Sequence, residues 1–133
     1  MIQRDYIMRM IEQIGALIGH IFDKNISHEN TERELDAVSA QWIGLPSSVL
    51  LSLPAAEVYR LFEESDRMVA GKSFLLAEIC RAKGMTVDEA GERTVFLDKA
   101  RFFYAKCSGA GLDDSVQQKV DERMAELRAP NDC

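Results

Sequence analysis

The sequence predicts an all-α protein built as one small helical domain. Three observations point there. Apolar residues recur at spacings of three and four through almost the whole chain, the signature of amphipathic helices. No segment shows sustained two-residue alternation with β-branched side chains, so strands are not expected. Breaks such as Gly44-Leu45-Pro46 and Ser108-Gly109-Ala110-Gly111 fall between the periodic segments, where helices are expected to stop.

The first helix is expected over about Gln3 to Asp23. Ile7, Ile14 and Ile21 stand one heptad apart, Met10 and Leu17 fill the intermediate positions, and Ile11 and Ile18 widen the stripe. A face that wide must be buried, on the rest of the domain or on a partner. Asn25-Ile26-Ser27 reads as a break with Ser27 as N-cap of a second helix, about His28 to Ile43. Its buried side is expected to carry Thr31, Leu35, Val38 and Trp42, and Glu29, Glu32 and Glu34 suit the positive end of the helix dipole.

After Gly44-Leu45-Pro46, Ser47 is read as the cap of a short turn containing Val49, Leu50 and Leu51. Pro54 restarts the chain near the first helical position, where its missing N–H does no harm. Val58, Leu61 and Phe62 are expected to form the buried stripe of the helix that follows, to about Glu64.

Met68 to Ala82 is helical by pattern, with Met68, Phe74, Leu75, Ile79 and Ala82 on one broad face. Two endings stay open. Either Gly84 stops the helix and Thr86 with Glu89 forms a capping box, or the helix continues through Gly84 and turns at Gly91-Glu92. Val95, Phe96, Lys99, Ala100, Phe103 and Cys107 then mark a helix from about Glu92 to Lys106. Asp113 or Asp114 caps a last helix through Val116, Val120, Met124 and Leu127, ending near Ala129-Pro130.

Composition narrows the function classes. Apolar residues make up 47% of the 133 residues and charged residues 29%, the range of a folded single domain. The net charge of −6 is unevenly placed: residues 1–66 carry 5 Lys/Arg against 11 Asp/Glu, and residues 67–133 carry 11 against 11. Nucleic-acid binding is not expected from that balance, since phosphate contacts need cations. The first helix carries Arg4, Asp5, Arg9 and Glu12 and has no apolar run near the roughly 20 residues that span a bilayer, so no membrane anchor is expected. Cys80, Cys107 and Cys133 are scattered without CxxC spacing, which suits a reducing compartment and a cytoplasmic protein. Cys80 and Cys107 read as core residues and Cys133 as an exposed thiol.

The segment Tyr6-Ile7-Met8-Arg9-Met10-Ile11-Glu12-Gln13, with Gly44-Leu45 and Ser52-Leu53, resembles a family of uncharacterised bacterial proteins. The resemblance implies an N-terminal helix of the DYIMRMIEQ type, a helical hairpin like a tetratricopeptide repeat, and a C-terminal capping helix over residues 66–129. It implies no activity. In the hairpin, Gly84 and Gly91-Glu92 fit the repeat pattern, but Phe96, Ala100 and Phe103 invert its small-large-small order, which Ala100, Tyr104 and Cys107 restore with a longer turn. One unit makes no solenoid, since about three repeats are needed for stability. The N-terminal helix must therefore cover its open face.

Chemistry is sparse. His28 and Glu32 have a metal-compatible spacing, but His20 is the sole other histidine, and a solvated helix start explains them better; no metal or other cofactor is expected. Glu63-Glu64-Ser65-Asp66 points in several directions and reads as a helix end. No Gly-rich phosphate loop and no Gly-x-Ser-x-Gly elbow is present, so an enzyme is the weakest reading. Phe96, Phe102, Phe103 and Tyr104 read mainly as core, and Trp42 as a core anchor.

Two interaction readings remain. In one, the protein self-associates through Ile7, Met10, Ile11, Ile14, Leu17, Ile18 and Ile21, so that deleting residues 1–24 removes the oligomer without unfolding the rest. Part of that face is expected inside the monomer, with whatever of it remains exposed as the dimer contact. In the other, the hairpin offers a groove to a peptide or protein partner, with Lys99, Arg101 and Lys106 as contacts.

Overall fold

The computed structural model describes residues 2–24, 27–65, 68–107 and 114–128. Among them the chain is all-helical, with seven helices: α1 (Ile2–Lys24), α2 (His28–Trp42), α3 (Ser47–Leu50), α4 (Ala55–Ser65), α5 (Val69–Thr86), α6 (Ala90–Cys107) and α7 (Asp114–Arg128). The Asn25-Ile26 break, Asp66, the Ser108–Gly111 stop, Asp113, Ala129-Pro130 and Cys133 lie outside the described residues, as do the side chains of Arg4, Asp5, Tyr6 and His28.

The architecture is organised around α5. From Ser73 to Gly84 every residue of α5 is buried, because α1, α2, α4 and α6 all pack against it. A helix covered on all sides must be apolar or have its polar groups paired. Phe74, Leu75, Leu76, Ala77, Ile79, Cys80 and Ala82 supply the apolar part, while Glu78, Arg81 and Lys83 are buried charges.

α5 and α6 form an antiparallel hairpin joined by Val87–Glu89, and α7 packs on α6. Neither ending that the sequence left open holds in full: the helix runs on through Gly84, but the chain turns at Val87–Glu89, and Gly91-Glu92 lie in the first turn of α6. Thr86 is the last residue of α5, its hydroxyl donating to the Ala82 and Lys83 carbonyls, so it caps nothing downstream. Glu89 does that alone, accepting the Gly91 and Glu92 amides at 2.9 and 3.0 Å. Gly84 is required by close approach rather than by a turn: a Cβ there would stand 2.7 Å from Leu97 Cδ2 on α6. Gly71 plays the same part against α1, with a Cβ falling 3.1 Å from Ile7 Cγ1.

Other expectations are adjusted by packing. Ser27 caps α2 as expected, accepting the Asn30 amide. Ser47 is not a cap but the first residue of α3, following Pro46, and it is buried. Val58 and Phe62 face the core, whereas Leu61 is 45% exposed, on a side of α4 that no described element covers. Val95 is likewise exposed on α6. Trp42 is half-buried, packs against the core as expected, and gives its indole N–H to Gln13 Oε1 at 3.0 Å, which also pins α2 to α1. Phe103 and Tyr104 are fully buried, and Phe102 and Phe96 are half-buried. No helix among the described residues is long and apolar enough to cross a membrane.

Candidate interaction surfaces

The seven stripe residues of α1 divide clearly. Met10, Ile11, Ile14, Ile18 and Ile21 are buried within the monomer, and Ile7 and Leu17 are half-buried against the same core. The stripe is thus the cover of α5 and lies inside the chain, where it is not free to meet a partner. Deleting residues 1–24 would expose the α5 core, so the expectation that the remainder would survive the deletion is corrected.

The opposite side of α1 is open. Arg9, Glu12, Gly15, Ala16, His20 and Asp23 are exposed, and Phe22 is 39% exposed. A Cβ added at Gly15 or Gly19 would meet nothing within 4 Å. Gln13 borders this face and is taken up by α2, donating to Gln41 Oε1 at 2.9 Å and accepting from Trp42.

Lys99, Arg101 and Lys106 do not line one groove. Lys99 Nζ donates to the Leu51 and Leu53 carbonyls at 2.7 and 3.3 Å, tying α6 to the α3–α4 connection. Arg101 turns the other way, pairing with Asp98 and donating to the Leu127 carbonyl of α7 at 2.8 Å. Residues two apart on a helix face different directions, which separates these two. Lys106 lies over the rings of Tyr59 and Phe102, 4.8 and 5.3 Å from their centroids, and is exposed.

The most concentrated polar chemistry is a buried cluster that sequence reasoning missed. Glu78 on α5 accepts from Tyr104 Oη of α6 and from Arg123 Nε of α7 at 3.1 Å. Arg81, one turn on, donates through Nε to Glu126 Oε1 at 3.0 Å, and Arg123 Nη1 lies 3.8 Å from Glu126 Oε2. The Arg81 guanidinium carbon lies 6.0 Å from the Phe22 ring centroid, while Arg81 Nη1 is buried with no hydrogen-bond partner among the described residues. Burial, then the charge of Glu78 and the hydrogen bond to it, push the Tyr104 phenol well above its ordinary pKa of 10.0. Tyr104 therefore keeps its proton at neutral pH, and Glu78 is closed to solvent behind its two donors. The arrangement fastens α7 and α6 to α5. The missing signal in the sequence was a charge inside the most apolar segment, Glu78 and Arg81 between Ala77 and Ala82.

Lys83 on α5 is buried and donates to Glu32 Oε1 of α2 at 2.9 Å. Glu32, weighed above as a metal ligand with His28, is the counter-ion of this lysine. Among the described residues no group of three or more His, Cys, Asp or Glu is placed to hold a metal ion.

No family model, no curated protein and no solved structure matches this chain.

Proposed function

We propose that the protein is a non-enzymatic interaction module that self-associates through its N-terminal helix. The observation supporting this is the division of α1. One side of a 23-residue helix covers the core, and the other sets Gly15 and Gly19, each about 1 kcal/mol poorer than alanine in a solvated helix, beside Ala16 and among the charged Arg9, Glu12 and Asp23. The α5–α6 hairpin is in this reading a single tetratricopeptide-like unit, used as a scaffold for α1 and not as part of a solenoid. Its protein would belong to an uncharacterised bacterial family and act in the cytoplasm, where the buried thiols Cys80 and Cys107 stay reduced.

The test is the mass of the intact chain by light scattering across a concentration series. A mass rising towards twice that of the monomer is expected. A clean monomer at high micromolar concentration overturns the reading. Because the stripe belongs to the core, the informative variants are substitutions on the open side of α1 and not a truncation.

A further inference from the structure

The open side of α1 carries a charge order that fits a second copy of itself. At 100° per residue, Arg9, Glu12, Ala16, Gly19, His20 and Asp23 fall within an arc of about 100°, opposite the buried stripe. Arg9 and Asp23 each stand seven residues from Ala16, and Glu12 and His20 each stand four residues from it. The order along the face is cation, carboxylate, small residue, imidazole, carboxylate. Reversing the direction of the helix exchanges Arg9 with Asp23, a cation for a carboxylate, near the centre line of the face.

A two-fold axis through Ala16 performs that reversal. In an antiparallel pair centred there, residue i meets the partner residue equally far on the other side of the axis, an isologous contact. We infer that the open face of α1 is an antiparallel two-fold contact between copies of this chain, crossing at Ala16. In it Arg9 faces the partner's Asp23, a pairing that occurs twice near the centre line of the contact, while Glu12 and His20 stand about 40° to opposite sides of Ala16 and flank it. A parallel in-register pair would set Arg9 on the partner's Arg9 and Asp23 on the partner's Asp23, so the charges select one orientation. The small residues serve the same geometry. With Ala16 at the crossing and Gly15 and Gly19 beside it, the axes can approach to about 8 Å, the close end of helix packing. Among the described residues, no atom outside the helix lies within 4 Å of a Cβ built at Gly15 or Gly19.

One helix face covers less than the roughly 1,600 Å² of a standard interface, so the dimer is concentration-dependent. The inference rests on the self-association proposed above, and the experiment separates the two. Sedimentation equilibrium of the full chain is run for the wild type, Arg9→Asp, Asp23→Arg and the double variant, with circular dichroism to check helix content. Each single reversal places like charges together twice and is expected to weaken dimerisation about tenfold, with the double exchange restoring it. In a Cys133→Ser background, Ala16→Cys is expected to cross-link to its own copy under mild oxidation, and Glu12→Cys is not. A wild type that stays monomeric overturns both readings. A dimer indifferent to the reversals, or one that the double exchange fails to restore, overturns this contact and leaves self-association standing.

Discussion

Tyr104 of α6 donates its hydroxyl proton to Glu78 of α5, and both side chains are sealed inside the helical core. A carboxylate that deep is tolerated because Arg123 of α7 supplies the opposite charge. The pair thus makes the seating of α7 a condition of burying Glu78. Removing one partner of a buried ion pair costs about 3–5 kcal/mol, whereas losing a single hydrogen bond costs about 1 kcal/mol. Arg123→Ala is therefore expected to destabilise the fold far more than Tyr104→Phe. Urea denaturation followed by circular dichroism measures both.

High pH should act on the same core. Burial pushes the Cys80 thiol up to about 12, the charges of Lys99 and Lys83 offsetting it in part. Burial, with the charge of Glu78 adding to it, also takes Cys107 to about 12. A group whose pKa is raised by folding contributes its stability in full below the unfolded value and loses it as pH climbs to the folded one. The window here opens near pH 9 and closes near pH 12, and each thiol removes about 1.4 kcal/mol per pH unit within it. Thermal melting temperatures are expected to fall progressively above pH 9. Cys80→Ala should flatten that fall relative to its own value at pH 8.

Acid acts elsewhere. Asp36 of α2 accepts from Ser47 Oγ at 2.6 Å, from the Ser48 amide at 2.9 Å and from Ser48 Oγ at 2.9 Å, binding α3 to α2. Burial raises its pKa, but these hydrogen bonds and the charge of Lys83 outweigh that and hold the carboxyl below its usual 3.8. Such a group stabilises the fold above its unfolded pKa and ceases to as pH falls through the folded one. Asp36→Ala is expected to cost about 1–2 kcal/mol at neutral pH, as loss of a helix cap does. Its deficit against the wild type should shrink below about pH 4, which chemical denaturation at a series of pH values would show.

The sequence revealed the helices and the stripe of α1 because both depend on spacing within one segment. Ile14, Ile18 and Ile21 are buried by the same periodicity that marks them. It did not reveal which helix sits in the middle. Leu61 and Val95 follow the helical period yet remain exposed, while Glu78, Arg81 and Lys83 are buried. Their burial depends on Arg123, Glu126 and Glu32, residues tens of positions away on other helices. The groove residues Lys99 and Arg101 misled for a related reason: a cation on a helix looks equally available whether it faces solvent or a carbonyl.

Gly84 and Leu97 should behave as a coupled pair. Alanine at Gly84 gains about 1 kcal/mol of helix propensity, while overpacking a tight crossing costs about 1–3 kcal/mol. Its Cβ would stand 2.7 Å from Leu97 Cδ2 and 3.3 Å from Phe96 Cβ, so most of the cost falls on the Leu97 side chain. Gly84→Ala alone is expected to destabilise, Leu97→Ala alone to open a void, and the double variant to be more stable than the sum of the two. A double-mutant cycle with additive free energies would contradict that crossing.

Lys99 separates a structural cation from a binding one. Its ammonium donates to two main-chain carbonyls, those of Leu51 and Leu53, where a partner's carboxylate would have been needed for recognition. Because Lys99 is half-buried, replacing it by methionine should cost about 1 kcal/mol after allowing for solvent screening. Methionine keeps the apolar stem and removes the charge, so the loss reads the ammonium contacts alone. Carbonyl dipoles are screened by salt far less than ion pairs, and the deficit of Lys99→Met should therefore be equal at low and high ionic strength. The deficit of Glu126→Gln, which weakens the link to Arg81, should shrink as salt rises, since Glu126 stands partly in solvent. Paired denaturation curves at two salt concentrations distinguish the two behaviours. A salt-dependent Lys99 deficit would mean that the lysine answers to a carboxylate and not to the α3–α4 connection.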